Sequence, residues 1–243
     1  MTPDIHILAI ADLTYVWQKA TVEGQGIILL LGLFSTFAWS VMAAKGLQMR
    51  KATKLNSLFI EEFNKSPRIL DIYDRNVAVD GCPLFAVYKA GAAELDHRLR
   101  GRKSDGARKA DVTLNQMEHV KRALERAVAR EALQLESGLI LLAIAVSGAP
   151  FLGLLGTVWG VMSVFSDVAQ KGQADLPTMA PGLSAAMMTT VAGLLVAIPS
   201  MFGYNWLVHH LRVHTVELDN FAQELASRIE TEYLEDEPRE TTA

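Results

Sequence analysis

Charge is absent from three long stretches of this chain, and that absence limits its fold more than any motif does. No Asp, Glu, Lys or Arg occurs between Glu23 and Lys45, between Glu136 and Asp167, or between Asp175 and Arg212. Each gap holds at least about 20 residues, enough for a helix to cross a hydrocarbon core about 30 Å thick. A soluble domain of 243 residues would mix charged and apolar residues throughout. The segregation predicts an all-α membrane protein with three transmembrane helices, over 26–44, 137–168 and 181–208. Long helical extensions are expected in the segments outside the membrane.

The positive charges orient these spans. Of 23 Lys and Arg residues, Lys19, Lys171, Arg212, Arg228 and Arg239 lie outside residues 45–136, which leaves 18 inside that segment. The positive-inside rule therefore places 45–136 in the cytoplasm. Residues 1–25 and the loop 169–180 fall on the periplasmic side, and 209–243 returns to the cytoplasm. A bacterial inner membrane is the expected home. No basic region or small-residue cleavage site accompanies the first apolar run, so that span is expected to stay as an anchor. Residues 5–17 fit either an amphipathic helix on the membrane surface or a loose terminus, with Trp17 as an interfacial residue.

Within the cytoplasmic segment, Pro67, Gly81 and Pro83 break the pattern. The stretch Arg98–Gly106 is basic and contains glycine, so it reads as a mobile loop beside anionic lipid. No aromatic residues interleave its charges, which argues against nucleic acid. Leu114, Met117, Leu124, Val128 and Leu135 then recur at helical spacing. They predict one amphipathic helix from about Asp111 running directly into span two. The one cysteine, Cys82, cannot form an internal disulfide and fits a small buried thiol.

Spans two and three carry the informative residues. Pro150 interrupts span two, with Ser147 placed to satisfy the carbonyl it frees. Gly153, Gly156 and Gly160 leave one nearly bare face suited to close helix packing. In span three, Ala186, Thr190, Gly193 and Ala197 form a stripe at i, i+4, i+7 and i+11. Pro181 fits a first helical turn, and Pro150 and Pro199 are expected kink points. The short loop between the two spans makes them an antiparallel hairpin. Leu218, Phe221, Leu225 and Ile229 continue the helical repeat beyond span three. The closing Glu235–Pro238 stretch has no apolar face and should be disordered.

The membrane cores of spans two and three contain no Asp, Glu, Lys, Arg or His. Thr157, Thr189 and Thr190, with Ser184, are the hydroxyls able to line a wet path, yet a hydroxyl cannot take up a proton near neutral pH. The plainer role for such threonines is bonding to their own helix or packing between helices. If protons cross here, a partner supplies the titrating group. Nucleotide loops, paired acids and metal-ligand clusters are absent from the sequence pattern, so no enzyme activity, cofactor or metal is expected. His209, His210 and His214 sit at a membrane edge with no nearby acid and read as interfacial residues.

The segment from Ala149 to Met162, containing Pro150-Phe151-Leu152-Gly153-Leu154-Leu155-Gly156-Thr157, resembles the signature of the MotA/TolQ/ExbB proton-channel family. So does Ala180-Pro181-Gly182-Leu183-Ser184-Ala185-Ala186, followed by Thr190, Gly193, Ala197-Ile198-Pro199 and Tyr204-Asn205. The number and order of spans is similar to the TolQ/ExbB branch. The resemblance implies a pentameric ring whose second and third spans line a pore. A single-span TolR/ExbD-like partner would stand in that pore and supply a membrane aspartate. A TolA- or TonB-like protein would receive the work. Thr157 and Thr190 match the family's pore threonines. One position departs: the family often carries a Glu where Ala185 stands here.

Two function classes follow. The first is a stator subunit of a proton-driven motor. The second is a non-conducting membrane scaffold, in which the small-residue faces only pack helices. A solute transporter is remote, since there is no internal repeat and no charged substrate site. The lack of further polar ligands favours H⁺ over Na⁺ as the coupling ion.

Overall fold

The computed structural model describes residues 17, 18, 20–75, 79–103, 112–172 and 175–233. Among them six helices form: α1 (Val22–Lys65), α2 (Asp71–Asp74), α3 (Pro83–Lys103), α4 (Leu114–Glu136), α5 (Leu139–Lys171) and α6 (Leu176–Tyr233). Three of these, α1, α5 and α6, are long and apolar enough to cross a membrane. The chain divides into an apolar unit (Met1–Ala44 with Gly138–Leu207) and a charged unit (Lys45–Ser137 with Val208–Ala243). The expected surface helix over 5–17 lies almost wholly outside the described residues, as does the Glu235–Pro238 stretch.

In the apolar unit, α1 opens on Thr21, whose Oγ1 accepts the Gly24 N–H at 3.1 Å, and on Glu23 in the first turn. Both features suit the positive end of a helix dipole. Its apolar window is 11% buried, against 33% in those of α5 and α6. The first span therefore presents most of its surface outward, and Leu29, Leu33 and Phe37 are exposed. Leu31 turns inward to pack with Ala149 and Ala197.

The hairpin is tighter than the sequence predicts. Helix α5 ends at Lys171, capped by Gly172 at φ +67°, and α6 begins at Leu176. Pro181 therefore lies at the sixth helical position, and Pro177 occupies the first turn that was expected of Pro181. Helix α6 is 58 residues long and runs without interruption through Pro181 and Pro199. Pro150 is likewise inside α5. Ser147 does not compensate for it as expected: its Oγ donates to the Ala143 carbonyl at 2.9 Å, one turn before its own position. Pro150 instead withdraws the N–H that the Val146 carbonyl would receive.

The helix expected to run straight from Asp111 into span two is broken. It starts at Leu114 behind a capping box, in which Thr113 Oγ1 accepts the Gln116 N–H and Gln116 Oε1 accepts the Thr113 N–H. It ends at Glu136, because Ser137 is extended (ψ 134°) and Gly138 is left-handed (φ +85°). A left-handed residue stops an α-helix, and glycine adopts that conformation without steric cost. The carbonyls left over at this end find a donor in Lys45, whose Nζ reaches Gln134 O at 3.4 Å and Leu135 O at 3.2 Å.

The charged unit has a large-residue core drawn from α1, α3, α4 and α6. Phe59, Phe63, Phe85, Tyr88 and Phe221 meet with ring centroids 5.3–6.2 Å apart. From α4 come Met117, Leu124, Val128 and Leu135, and from α6 Leu218, Phe221, Leu225 and Ile229, all buried. Leu114, the first residue of the expected series, is exposed. The basic stretch departs from expectation at its start: Arg98, Leu99 and Arg100 belong to α3. Arg98 pairs with Glu94 at 2.6 Å and Arg100 with Asp96 at 2.8 Å, both one turn back, and Leu99 is buried. Residues 104–106 lie outside the described ones.

Candidate functional site

Close approach of α5 and α6 creates the site. A Cβ built on Gly153 would lie 2.8 Å from the Thr189 carbonyl oxygen and 3.0 Å from Thr190 Cα. One on Gly193 would lie 2.6 Å from the Ala149 carbonyl oxygen. At Gly156 it would meet the Thr189 side chain at 2.6 Å, and at Gly160 the Ala186 Cβ at 2.6 Å. The two backbones touch over two turns, and only residues lacking a side chain permit it. Ala186 and Ala197 are buried on the α6 side.

That approach brings three hydroxyls to one carbonyl. The Gly153 oxygen receives Thr189 Oγ1 at 2.9 Å, and Thr157 and Thr190 Oγ1 each at 3.2 Å. The Ala186 oxygen receives Thr189 Oγ1 at 2.7 Å and Thr157 Oγ1 at 3.2 Å. Thr157 Oγ1 also lies 3.3 Å from Thr189 Oγ1 and in close contact with Thr190 Oγ1. Each hydroxyl has one proton to give, so three protons serve more acceptors than they can fill at once. The cluster therefore has several hydrogen-bonding arrangements of similar geometry. It can pass a hydrogen bond from one member to the next, but it holds no group that stores charge.

Its members differ in access. Thr189 is buried at 1% exposure, whereas Thr157 and Thr190 are half-buried. Sequence spacing alone did not separate Thr189, which sits behind the pair. Ser184 is exposed on α6 and is not part of the cluster. Ala185 is buried.

Outside the hairpin, the sequence expectation for the histidines needs correction. His214 is buried in the charged unit, with Nδ1 3.2 Å from Glu217 Oε2 and Nε2 3.3 Å from Thr53 Oγ1. An acid is near after all, one helical turn along at i+3. His209 and His210 contact each other edge to face, with ring centroids 5.6 Å apart. Cys82 is buried, and burial pushes its thiol pKa up, against reactivity. Sequence reasoning missed Asn56, whose buried Oδ1 accepts the Leu84 N–H at 3.3 Å and so caps α3 from α1. Its only signal was an Asn in the middle of a long helix. Among the described residues no group of three or more metal-ligating side chains converges.

Three helices long and apolar enough to cross a membrane and a glycine-packed hairpin carrying hydroxyls define a polytopic membrane protein. Residues 88–220 match the model of the MotA/TolQ/ExbB proton channel family, and the chain belongs to that family. It is 34% identical over 202 residues to the Tol-Pal system protein TolQ of Pseudomonas aeruginosa, covering 81% of this chain and 84% of the relative. It is 30% identical to TolQ of Haemophilus influenzae, covering 93% and 95%. It is 28% identical to the biopolymer transport protein ExbB of Neisseria gonorrhoeae, covering 90% and 97%.

Proposed function

We propose that this chain is a TolQ/ExbB-type subunit of an inner-membrane motor driven by the proton motive force. In this reading five copies form a ring whose pore is lined by α5 and α6. A single-span TolR/ExbD-like partner stands in the pore and supplies the membrane aspartate. The work passes to a TolA- or TonB-like protein, for envelope maintenance or outer-membrane transport. The N-terminus is periplasmic and the C-terminus cytoplasmic, as the distribution of Lys and Arg argues. Relatives named for the Tol-Pal system and for biopolymer transport support the class of task.

The carrying observation is the cluster of Thr157, Thr189 and Thr190 around the Gly153 carbonyl. A path needs polar stations along an otherwise apolar pore, and this cluster provides them without a titratable group. The cluster itself has no proton-binding group, and that is the reason for a partner in trans. Thr157 and Thr190, as the half-buried members, form the pore surface, and Thr189 holds them in place from behind.

One observation favours a second reading, the non-conducting scaffold: every hydroxyl in the cluster already bonds within the chain, which suits packing alone. Thr190→Val separates the two, since valine keeps the shape and removes the hydroxyl. The variant should assemble normally and lose motor-dependent outer-membrane function. Wild-type function in Thr190→Val cells would overturn the pore role. Intact-mass analysis of the complex drawn from native membranes in mild detergent tests the assembly. Five copies with a small single-span, aspartate-bearing protein are expected, and a ring lacking such a protein would favour the scaffold.

A further inference from the structure

The apolar unit contains a cavity of about 90 Å³ beside the threonine cluster. It is polar on one side: Thr21, Ser163, Asp167 and Thr189 line it, and Ala185 closes it from α6. Gly156, Gly160, Ser163 and Asp167 follow at successive turns of α5, so the cavity runs along the helix. Eleven residues separate Gly156 from Asp167, roughly 16 Å of rise at 1.5 Å per residue. Asp167 thus stands toward the hairpin loop, and Gly156 with Thr189 at the cluster. A second, larger cavity of about 530 Å³ lies at the loop end, lined by Lys171, Asp175 and Thr178. Asp167, Val164 and Gly182 line both cavities.

Asp167 is exposed on α5, as a carboxylate beside an apolar span must be when water is to attend it. The smaller cavity has room for a few waters, and its hydroxyls give them the polar partners that an ordered water needs. The charged groups that share a cavity with Asp167 are Lys171, on the same helix, and Asp175, ahead of α6. The residues lining the inner cavity at the start of α1, Ala20, Thr21 and Gly24, carry no charge, and neither do those from α6.

We propose that Asp167 collects protons from the loop-end cavity and feeds them, through water and Ser163, to the hydroxyls of Thr189, Thr157 and Thr190. The carboxylate takes a proton from hydronium in the outer cavity and yields it to water in the inner one. Each hydroxyl then takes a proton from the water or hydroxyl before it as it releases its own to the next, and the last threonine delivers the proton to the membrane aspartate that the partner supplies, so no charge rests on a threonine. This entry route runs inside the α5–α6 hairpin of one chain and rests on the proton-motor reading above.

The test has two parts, both in the full-length complex from native membranes. In a Cys82→Ser background, Ser163→Cys is exposed to a small membrane-impermeant methanethiosulfonate and to Ag⁺, with Phe165→Cys, on the exposed face of the same turn, as control. Ser163→Cys should react with Ag⁺ far faster than Phe165→Cys. A Ser163→Cys thiol that does not react with Ag⁺ means a dry cavity and overturns the proposal. In proteoliposomes, Asp167→Asn should lower proton flux several-fold, Asp167→Glu should restore it, and Asp167→Asn with Ala185→Glu should recover part of it, because position 185 lines the same cavity. Wild-type flux in Asp167→Asn with loss in Thr190→Val overturns this entry route and leaves the motor reading standing. Wild-type flux in both variants overturns both.

Discussion

The apolar unit and the charged unit are both bundles of long helices, yet opposite residues hold them together. In the apolar unit the contact points are Gly153, Gly156, Gly160, Ala186 and Gly193; at Gly153 and Gly193 the closest atoms are backbone, and at Gly156 and Gly160 they are the small side chains of Thr189 and Ala186. In the charged unit they are Phe59, Phe63, Phe85, Tyr88 and Phe221. The difference follows from the solvent. Burying a large apolar side chain removes it from water and stabilises a soluble core by about 1.5–3 kcal/mol. In lipid that gain vanishes, because the tails are as apolar as leucine, and association relies on close packing and interhelical hydrogen bonds. A glycine stripe with threonines bonded to carbonyls across the contact is what such a solvent selects.

The largest expected effect tests this contrast with two glycines. Gly153→Leu drives a branched side chain into the α6 backbone, which cannot give way. The hairpin should separate, with loss of the monodisperse assembly on size-exclusion chromatography. Gly91 in α3 is also tightly placed: a Cβ there would lie 2.5 Å from Leu124 Cδ2. That atom is the end of a flexible side chain, so Gly91→Ala should cost only about 1–3 kcal/mol, a small fall in thermal midpoint. Equal damage from the two would mean that the hairpin contact is no tighter than an ordinary core contact.

How far each unit was legible follows the same division. The spans were readable because lipid forbids charge, and a run without Asp, Glu, Lys or Arg is visible at a glance. Met117, Leu124, Val128 and Leu135 were readable because one face of a helix repeats every three to four residues. The cluster was half legible: Thr157, Thr189 and Thr190 could be named, but their order of burial depends on which turn of α5 meets which turn of α6. Contacts between distant segments were illegible. Asn56 capping α3, Lys45 reaching the end of α4, and Tyr88 bonded to the connection after α1 leave no local pattern. The break at Ser137-Gly138 had a signal in its glycine, outweighed by the apolar periodicity on either side. The helical Arg98 and Arg100 were hidden because a basic run near glycine looks like a loop until Glu94 and Asp96 are paired with it.

A middle-sized effect is expected where the charged unit uses a polar group in an aromatic core. The Tyr88 hydroxyl donates to the Ile69 carbonyl at 2.5 Å and accepts the Tyr73 N–H at 2.9 Å, tying the connection between α1 and α3 into the core. Burial pushes the Tyr88 pKa up to about 12, so it remains a donor at all physiological pH values. Tyr88→Phe keeps the ring and strands both backbone groups, at a cost of about 1–3 kcal/mol. The thermal midpoint should fall while labelling of cysteines placed in the hairpin stays unchanged. A parallel change in the hairpin would show that the two packing modes are not independent.

The smallest effect concerns Glu131 on α4, which shares a cavity in the charged unit with Lys51 and Lys89. Burial raises its carboxyl above the usual value of 4.5, with Arg130 pulling weakly the other way. A carboxyl whose pKa is higher folded than unfolded stabilises the fold below the unfolded value, and that stabilisation is lost as pH rises through the folded one. At neutral pH the ionised Glu131 is therefore a mild liability. Glu131→Gln removes the charge and keeps the shape, so the variant should melt slightly higher than wild type at neutral pH. The gap should close as pH falls below 4.5, where both side chains are neutral. If Glu131→Gln instead melts lower at neutral pH, then the lysines lining the cavity hold the carboxylate in a productive pair, and even the charged unit depends there on polar contacts more than on desolvation.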